Sequence, residues 1–284
     1  MRRLSQDVQA GSLYHPPDRR RSGGIGILPV PLKRVSRQCY AAVLALALLA
    51  ACSEPSTAPK KVVVPTPVDP ATAGKIQIEV RYSGVAPTPK ALDMRSVPQC
   101  AEAHTEAVYD DSLLVHDGHL ANAVVWIKSG LEGWVFAPPD APVVIDQKGC
   151  LYQPHVATAM VDQPVEYLNS DREAHNVHGH PDVVSAWNFL LSRPGATRTL
   201  SFDKPEVAIP VGCDIHPWMR GYLAVVPNPY AAVTPSSGTV TLSQVPPGKY
   251  VIAVWHEKLG TKEQSITLEP SGSASVQFEL SAKN

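Results

Sequence analysis

The stretch Val211-Gly-Cys-Asp-Ile-His-Pro-Trp-Met-Arg-Gly-Tyr222 gathers a thiolate, an imidazole and a thioether on one short loop, as Cys213, His216 and Met219. Such a mixture of soft and borderline donors suits copper better than it suits magnesium or a structural zinc. A fourth donor is expected. The segment Asn169-Ser-Asp-Arg-Glu-Ala-His-Asn-Val-His178, which follows a strand-like run ending at Leu168, supplies His175. Two imidazoles and a thiolate in a plane with a distant thioether form the trigonal donor set of blue-copper electron-transfer sites.

Both segments resemble the small cupredoxins, amicyanins most closely. The short Cys-x-x-His-x-x-Met spacing is followed by Arg220-Gly221 and a strand. Residues 169–178 are similar to that family's Asn-x-Glu-Ala-x-x-His-Asn-Val-His segment, with the insertion before the histidine shifted. The resemblance covers about residues 143–226, under a third of the chain. It implies a Greek-key sandwich and one type 1 copper site held by His175, Cys213, His216 and Met219. It also implies that Asn176 hydrogen-bonds to the cysteine loop and ties the two ligand segments together. Asp214 stands where the family carries Ser or Thr, and Val211 where an aromatic residue is common. A carboxylate beside the thiolate is expected to stabilise Cu(II) and lower the potential. His216 is expected to present its edge near the surface, with Pro217 and Trp218 as an apolar docking patch for a redox partner, a cytochrome or an oxidoreductase. His178 and His180, on the same polar segment, read as solvated loop histidines, and His256 has no nameable partner.

The net charge of -1 conceals an asymmetry. Residues 1–51 carry eight of the 25 basic residues and two of the 26 acidic ones, so the remainder holds 17 against 24, a balance of -7. That surface offers no basic patch for nucleic acid. Lys33, Arg34 and Arg37 precede the apolar run 41–51, too short to span a bilayer and laid out as a secretory signal. The ending Leu49-Ala-Ala-Cys52 resembles the lipobox of bacterial lipoproteins, which implies a lipidated Cys52 and a periplasm-facing protein anchored in the cell envelope. Ordinary cleavage, giving a soluble periplasmic or secreted protein, is the alternative. Residues 1–32 lack an apolar period and do not belong to such a signal. Residues 52–73 hold five prolines and form a tether, which in extended form reaches about 60 Å at roughly 3.1 Å per residue.

From Gly74 the alternation of Ile76, Ile78, Val80 and Tyr82 with polar residues has the period of a half-buried strand. A strand at 112–115, the Asp117-Gly118 turn and the apolar run Ala121-Asn-Ala-Val-Val-Trp-Ile127 follow. Residues 182–197 read as irregular surface. Beyond Pro227, strands at 239–242 and 249–255 flank a Pro247-Gly248 turn. Gly238 to Leu242 and Pro247 to Tyr250 resemble the carboxypeptidase regulatory-like, or transthyretin-like, sandwich, whose first strands are similar to Gly74–Gly84 and Leu120–Ile127. The expected architecture is all-β with no helix. Residues 74–140 and 228–284 would form the two parts of a transthyretin-like sandwich, interrupted by a cupredoxin domain at 141–227; two sandwiches in tandem are the alternative.

Cys39 leaves with the signal, Cys52 carries lipid and Cys213 binds metal, so Cys100 and Cys150 remain as an even pair. In an exported protein they are expected to form a disulfide. The rival is a second metal site that adds His104 and His155. No Ser/His/Asp or His-Glu-x-x-His pattern is present, so the chain is read as no enzyme. Two functions fit: an electron carrier of the envelope, or a copper-binding or surface-interaction lipoprotein whose sandwich contacts glycan or protein.

Overall fold

The computed structural model describes residues 64–282. The signal, Cys39, Cys52 and the first part of the tether lie outside the described residues. The rest is all-β, with eighteen strands and one short helix among the described residues.

Strand β1 (Gly74–Tyr82) buries Ile76, Ile78 and Val80 completely and turns Lys75, Gln77 and Glu79 away, as its alternating pattern requires. It pairs antiparallel with β15 (Thr239–Val245) and parallel with β18 (Ser273–Leu280). At Arg81 it also meets β3 (His119–Leu120), the partner of β2 (Val115–His116) across the Asp117-Gly118 turn. Both turn residues have positive φ, 49° and 78°, the backbone of a tight two-residue hairpin. A second sheet runs in the order β14 (Ala231–Val233), β4 (Val124–Ser129), β16 (Gly248–His256) and β17 (Gly260–Leu268). Strands from both ends of the described chain therefore close one sandwich, around Ile76, Leu120, Ile127, Ile252 and Phe278.

Strands β5 to β13 build the other sandwich. One sheet has the order β10 (Trp187–Leu191), β9 (His175–Gly179), β12 (Glu206–Gly212), β13 (Arg220–Val226) and β7 (Val156–Met160). The facing sheet runs β11 (Ala196–Leu200), β8 (Val165–Asn169), β5 (Val143–Gln147) and β6 (Tyr152–Gln153). Its core includes Ile145, Tyr167, Val177, Ile209 and Leu223.

Three strands serve two cores at once. In β4, Val125 and Ile127 enter the first sandwich, whereas Val124 and Trp126 face outward. In β16, Ile252 and Val254 point inward and Ala253 and Trp255 outward. In β13, Leu223 and Val225 enter the second sandwich, whereas Ala224 and Val226 face outward. The outward sets pack on each other with Val156. This is why Val124-Val-Trp-Ile127 and Leu223-Ala-Val-Val226 read as unbroken apolar runs: sheets covered on both faces lose the alternation.

Several segments differ from the sequence reading. The strand expected at 112–115 is reduced to Val115–His116 in β2. Residues 64–73 of the expected tether lie against the first sandwich, with the Thr66 amide on the Val135 carbonyl and the Ser271 amide on the Thr72 carbonyl, both at 2.8 Å. Residues 187–191 form strand β10, paired with β9 from Trp187↔Gly179 to Leu191↔His175. Four of its five residues are apolar, but Leu190 and Leu191 interrupt the alternation, and as an edge strand it leaves Asn188 and Leu190 exposed. A helix, α1 (Pro98–Glu102), occupies the long link between β1 and β2. With Pro98 in its first turn and five residues in all, it is too short to show a helical period. This link leaves its own sandwich and drops Met94 and Cys100 into the core of the other one. There Cys100 and Cys150 are joined in a disulfide, with an S–S distance of 2.00 Å. His104 donates from Nε2 to the Gly149 carbonyl at 2.7 Å, and His155 is engaged by carboxylates elsewhere. The rival metal site of Cys100, Cys150, His104 and His155 therefore does not form.

Candidate metal centre

His175 opens β9, and Cys213 follows the last residue of β12, so neighbouring antiparallel strands deliver both donors to one end of the sandwich. The loop between β12 and β13 brings His216 and Met219 back to the same place. Cys213 N–H donates to the Met219 carbonyl at 3.2 Å and Met219 N–H to the His216 carbonyl at 2.9 Å, which closes the loop tightly. Nδ1 of His175 lies 2.9 Å from Nδ1 of His216, and Sγ of Cys213 lies 3.6 Å from the latter. Donor atoms of His175, Cys213 and His216 all fall within 4.8 Å of one another. His175, His216 and Met219 are 0%, 2% and 1% exposed, and Cys213 is buried too.

The surrounding groups orient these donors. Asp171, which sequence reasoning missed, takes the Nε2 proton of His175 at 3.0 Å and accepts the amides of Gly149 and Cys150, both at 2.7 Å. A carboxylate on one ring nitrogen orients the ring and turns the other nitrogen toward the second imidazole, as metal-binding histidines require. The only local hint of it is its place four residues before His175 in a turn-rich stretch. Asn176 ties the two ligand segments: its Oδ1 accepts the Asp214 amide at 2.6 Å and its Nδ2 donates to the Asp214 carboxylate at 2.8 Å. The Tyr152 hydroxyl lies 2.9 Å from the Gly212 carbonyl and 3.1 Å from that of Asn176.

Burial disfavours a charge on either imidazole, but their surroundings separate them. For His175, hydrogen bonds to Asp171 and Cys213 outweigh burial and push the pKa up to about 9. For His216, burial and the neighbouring His175 charge push it down to about 4. Burial resists ionisation of Cys213, yet hydrogen bonds from His175 and from the His216, Asn176 and Ile215 amides lower its pKa overall. The chain thus favours a thiolate beside a protonated His175 and a neutral His216, and a metal ion that displaced the His175 proton would meet one thiolate and two imidazoles, a donor set that fits copper.

The expected surface edge at His216 is absent. The link through α1 and the disulfide cover that ring, and Trp218 closes its flank with ring centroids 5.3 Å apart. Trp218 is half-buried and donates from Nε1 to the Cys150 carbonyl at 3.1 Å, whereas Pro217 and Ile215 are exposed. His256 is fully buried at the end of β16, where its Nδ1 accepts the Lys258 amide at 3.2 Å.

No family model matches the chain, and no curated protein matches it either. Solved structures do. A Cu-containing nitrite reductase from Thermus scotoductus SA-01 is 24% identical over 34% of this chain, with a TM-score of 0.28; the match spans about a quarter (24%) of that enzyme. An oxidized point mutant of amicyanin is 24% identical over 37% of this chain and 98% of its own, also with a TM-score of 0.28. A second amicyanin mutant, in its Cu(I) form, is 23% identical with the same coverage and score.

Proposed function

We propose that the chain holds one copper ion between His175, Cys213, His216 and Met219 and passes single electrons to or from a redox protein, a cytochrome or an oxidoreductase. The observation that carries this reading is the convergence of two imidazole Nδ1 atoms and the Cys213 sulfur in a buried pocket next to Met219. Copper, when bound, supplies a one-electron couple whose two oxidation states both accept this donor set. The chain does the rest. Asp171 holds the His175 ring, Asn176 and Tyr152 brace the strands that carry His175 and Cys213, and the apolar core excludes water. Exposed Ile215 and Pro217 offer the partner an apolar contact, with Trp218 supporting the loop from beneath. Lipid on Cys52 would anchor the molecule in the cell envelope through the part of the tether that precedes residue 64, since residues 66–72 bond to the first sandwich, and that sandwich would be a transthyretin-like module.

Visible spectroscopy tests the reading. Copper-loaded protein should show intense thiolate-to-Cu(II) charge transfer, and Cys213→Ser should stay folded and colourless. A colourless wild type with stoichiometric Cu(II) would exclude the type 1 assignment. The 2% exposure of His216 favours a second reading, in which copper is structural and the outer sandwich binds glycan or protein. Stopped-flow mixing with a small inorganic oxidant separates the two. A carrier is oxidised quickly and reversibly, and a structural site is not.

A further inference from the structure

Beyond His175, strand β9 carries His178, and His180 follows its last residue. His178 and His180 flank Gly179 and so share the strand face opposite to Val177. Gly179 makes this possible, because a Cβ there would come within 2.2 Å of the Trp187 ring that lies beneath it. The ring centroids of His178 and His180 are 3.9 Å apart, and the His180 amide is pinned to the Pro210 carbonyl at 2.9 Å.

His178 is already oriented for binding. Its Nδ1 lies 3.1 Å from both carboxylate oxygens of Asp214, and that carboxylate is itself fixed by Asn176 and by Asn188 Nδ2 at 3.0 Å. Asp171 makes the same arrangement with His175 in the buried centre. In both, a carboxylate on one ring nitrogen orients the ring, as in metal-binding histidines. The exposed ring of His180 lies against the His178 ring, with 39° between their planes. Two imidazoles with room for water are a coordination set for a borderline divalent ion such as Cu(II) or Zn(II).

The location adds a second observation. His180 lies on the wall of a cavity of about 240 Å³ that also includes Gly212, Cys213, Pro217 and Met219. His180 and Asp214, the latter bonded to His178, thus stand on the wall of the cavity that reaches the buried donors. We propose that His178 and His180, with Asp214 as positioning residue, form a second metal site for a borderline divalent ion, and that this site captures metal for the buried centre. The site stands on its own geometry; only its role in capture rests on the copper reading above.

Zn(II) calorimetry on the full chain carrying Cys213→Ser tests the site without reference to colour. Adding His178→Ala and His180→Ala should abolish one equivalent of binding. His180→Ala alone, at an exposed side chain, should weaken that equivalent at least about tenfold, and Asp214→Asn about 10- to 100-fold. Unchanged stoichiometry and affinity in both histidine variants would overturn the site. Capture is read as the rate of chelator-resistant Cu(II) uptake by otherwise wild-type protein. His180→Ala should slow it severalfold with the final copper content unchanged, whereas an unchanged rate would remove the capture role. If the buried centre proves not to bind copper, the zinc equivalent at His178 and His180 still appears, so the two readings fail separately.

Discussion

The sulfur of Cys150 lies within 4.8 Å of a ring nitrogen of His216, as does that of its disulfide partner Cys100. A cross-link between the β1–β2 link and the β5–β6 turn therefore sits directly on the metal loop. The same Cys150 donates its amide to Asp171, which holds His175. Both imidazoles of the centre are in contact with groups that the disulfide positions.

Opening this bond should act on stability and on the site together. With a sequence separation of 50 between its cysteines, the chain-entropy model assigns the disulfide about 4 kcal/mol. The Cys100→Ala/Cys150→Ala protein should lose roughly that much in urea unfolding and should exchange electrons faster with a small oxidant, because the His216 edge becomes exposed. A faster melt with no change in exchange rate would show that the cover does not limit access.

Asp171→Asn keeps the size of the side chain but accepts poorly from three N–H donors. Metal affinity should fall about 10- to 100-fold, measured by competition with a chelator, while far-ultraviolet circular dichroism stays unchanged. Equal affinity would mean that the His175 ring is held by packing alone.

Trp218→Glu places a charge where an indole packs on His216 and bonds the Cys150 carbonyl. Copper retention and thermal stability should both decrease, and Trp218→Phe should recover most of the packing without the hydrogen bond. If Trp218→Glu leaves both unchanged and slows only the reaction with a protein partner, Trp218 is a docking residue.

The sandwiches are also joined by a charged cluster. His155 binds Glu257 through Nε2 and Asp111 through Nδ1, the latter at 3.1 Å. Asp110, Lys258 and Arg220 line the same cavity. Burial opposes the His155 charge, but Glu257 and Asp111 together raise its pKa above 6.5. A raised folded value means that the stabilisation is complete below the unfolded pKa of 6.5 and is lost as pH rises through the folded one. The urea midpoint should therefore fall with pH above 6.5, and His155→Gln should flatten that slope. A slope that persists in His155→Gln would place the proton on another group.

Joining residue 140 to 229 would remove β5 to β13 and uncover Val124, Trp126, Ala253 and Trp255 together. The shortened chain should self-associate through this face, as seen by size-exclusion chromatography, and polar replacement of Trp126 and Trp255 should restore a monomer. A monomeric shortened chain without those replacements would show that the face tolerates water.

The metal loop and β1 were legible because each is governed by local rules: donor spacing in one, strict alternation in the other. Strand β10 was not, since its short apolar run lacks strict alternation and only its register with β9 marks it as a strand. Asp171 left only its place four residues before His175, and the His155–Glu257 pair left no signal, because its members lie 102 positions apart. Burial of His216 was equally hidden. It depends on α1, which comes from a stretch between two strands of the other sandwich and reads in sequence as a proline-rich loop.

The parallel pairing of β1 with β18 gives the molecule a mechanical property as well. The first strand after the tether and the last strand of the described chain run side by side through eight register pairs, from Lys75↔Ser273 to Tyr82↔Leu280. Tension applied between the two ends of the chain pulls these strands past each other along their length. Under such shear the rungs bear the force together, whereas a hairpin pulled apart from its open end gives way one rung at a time. A protein held by its N-terminal side against flow or a bound partner would thus resist extension first at β1 and β18, strands of the sandwich that does not carry the metal loop.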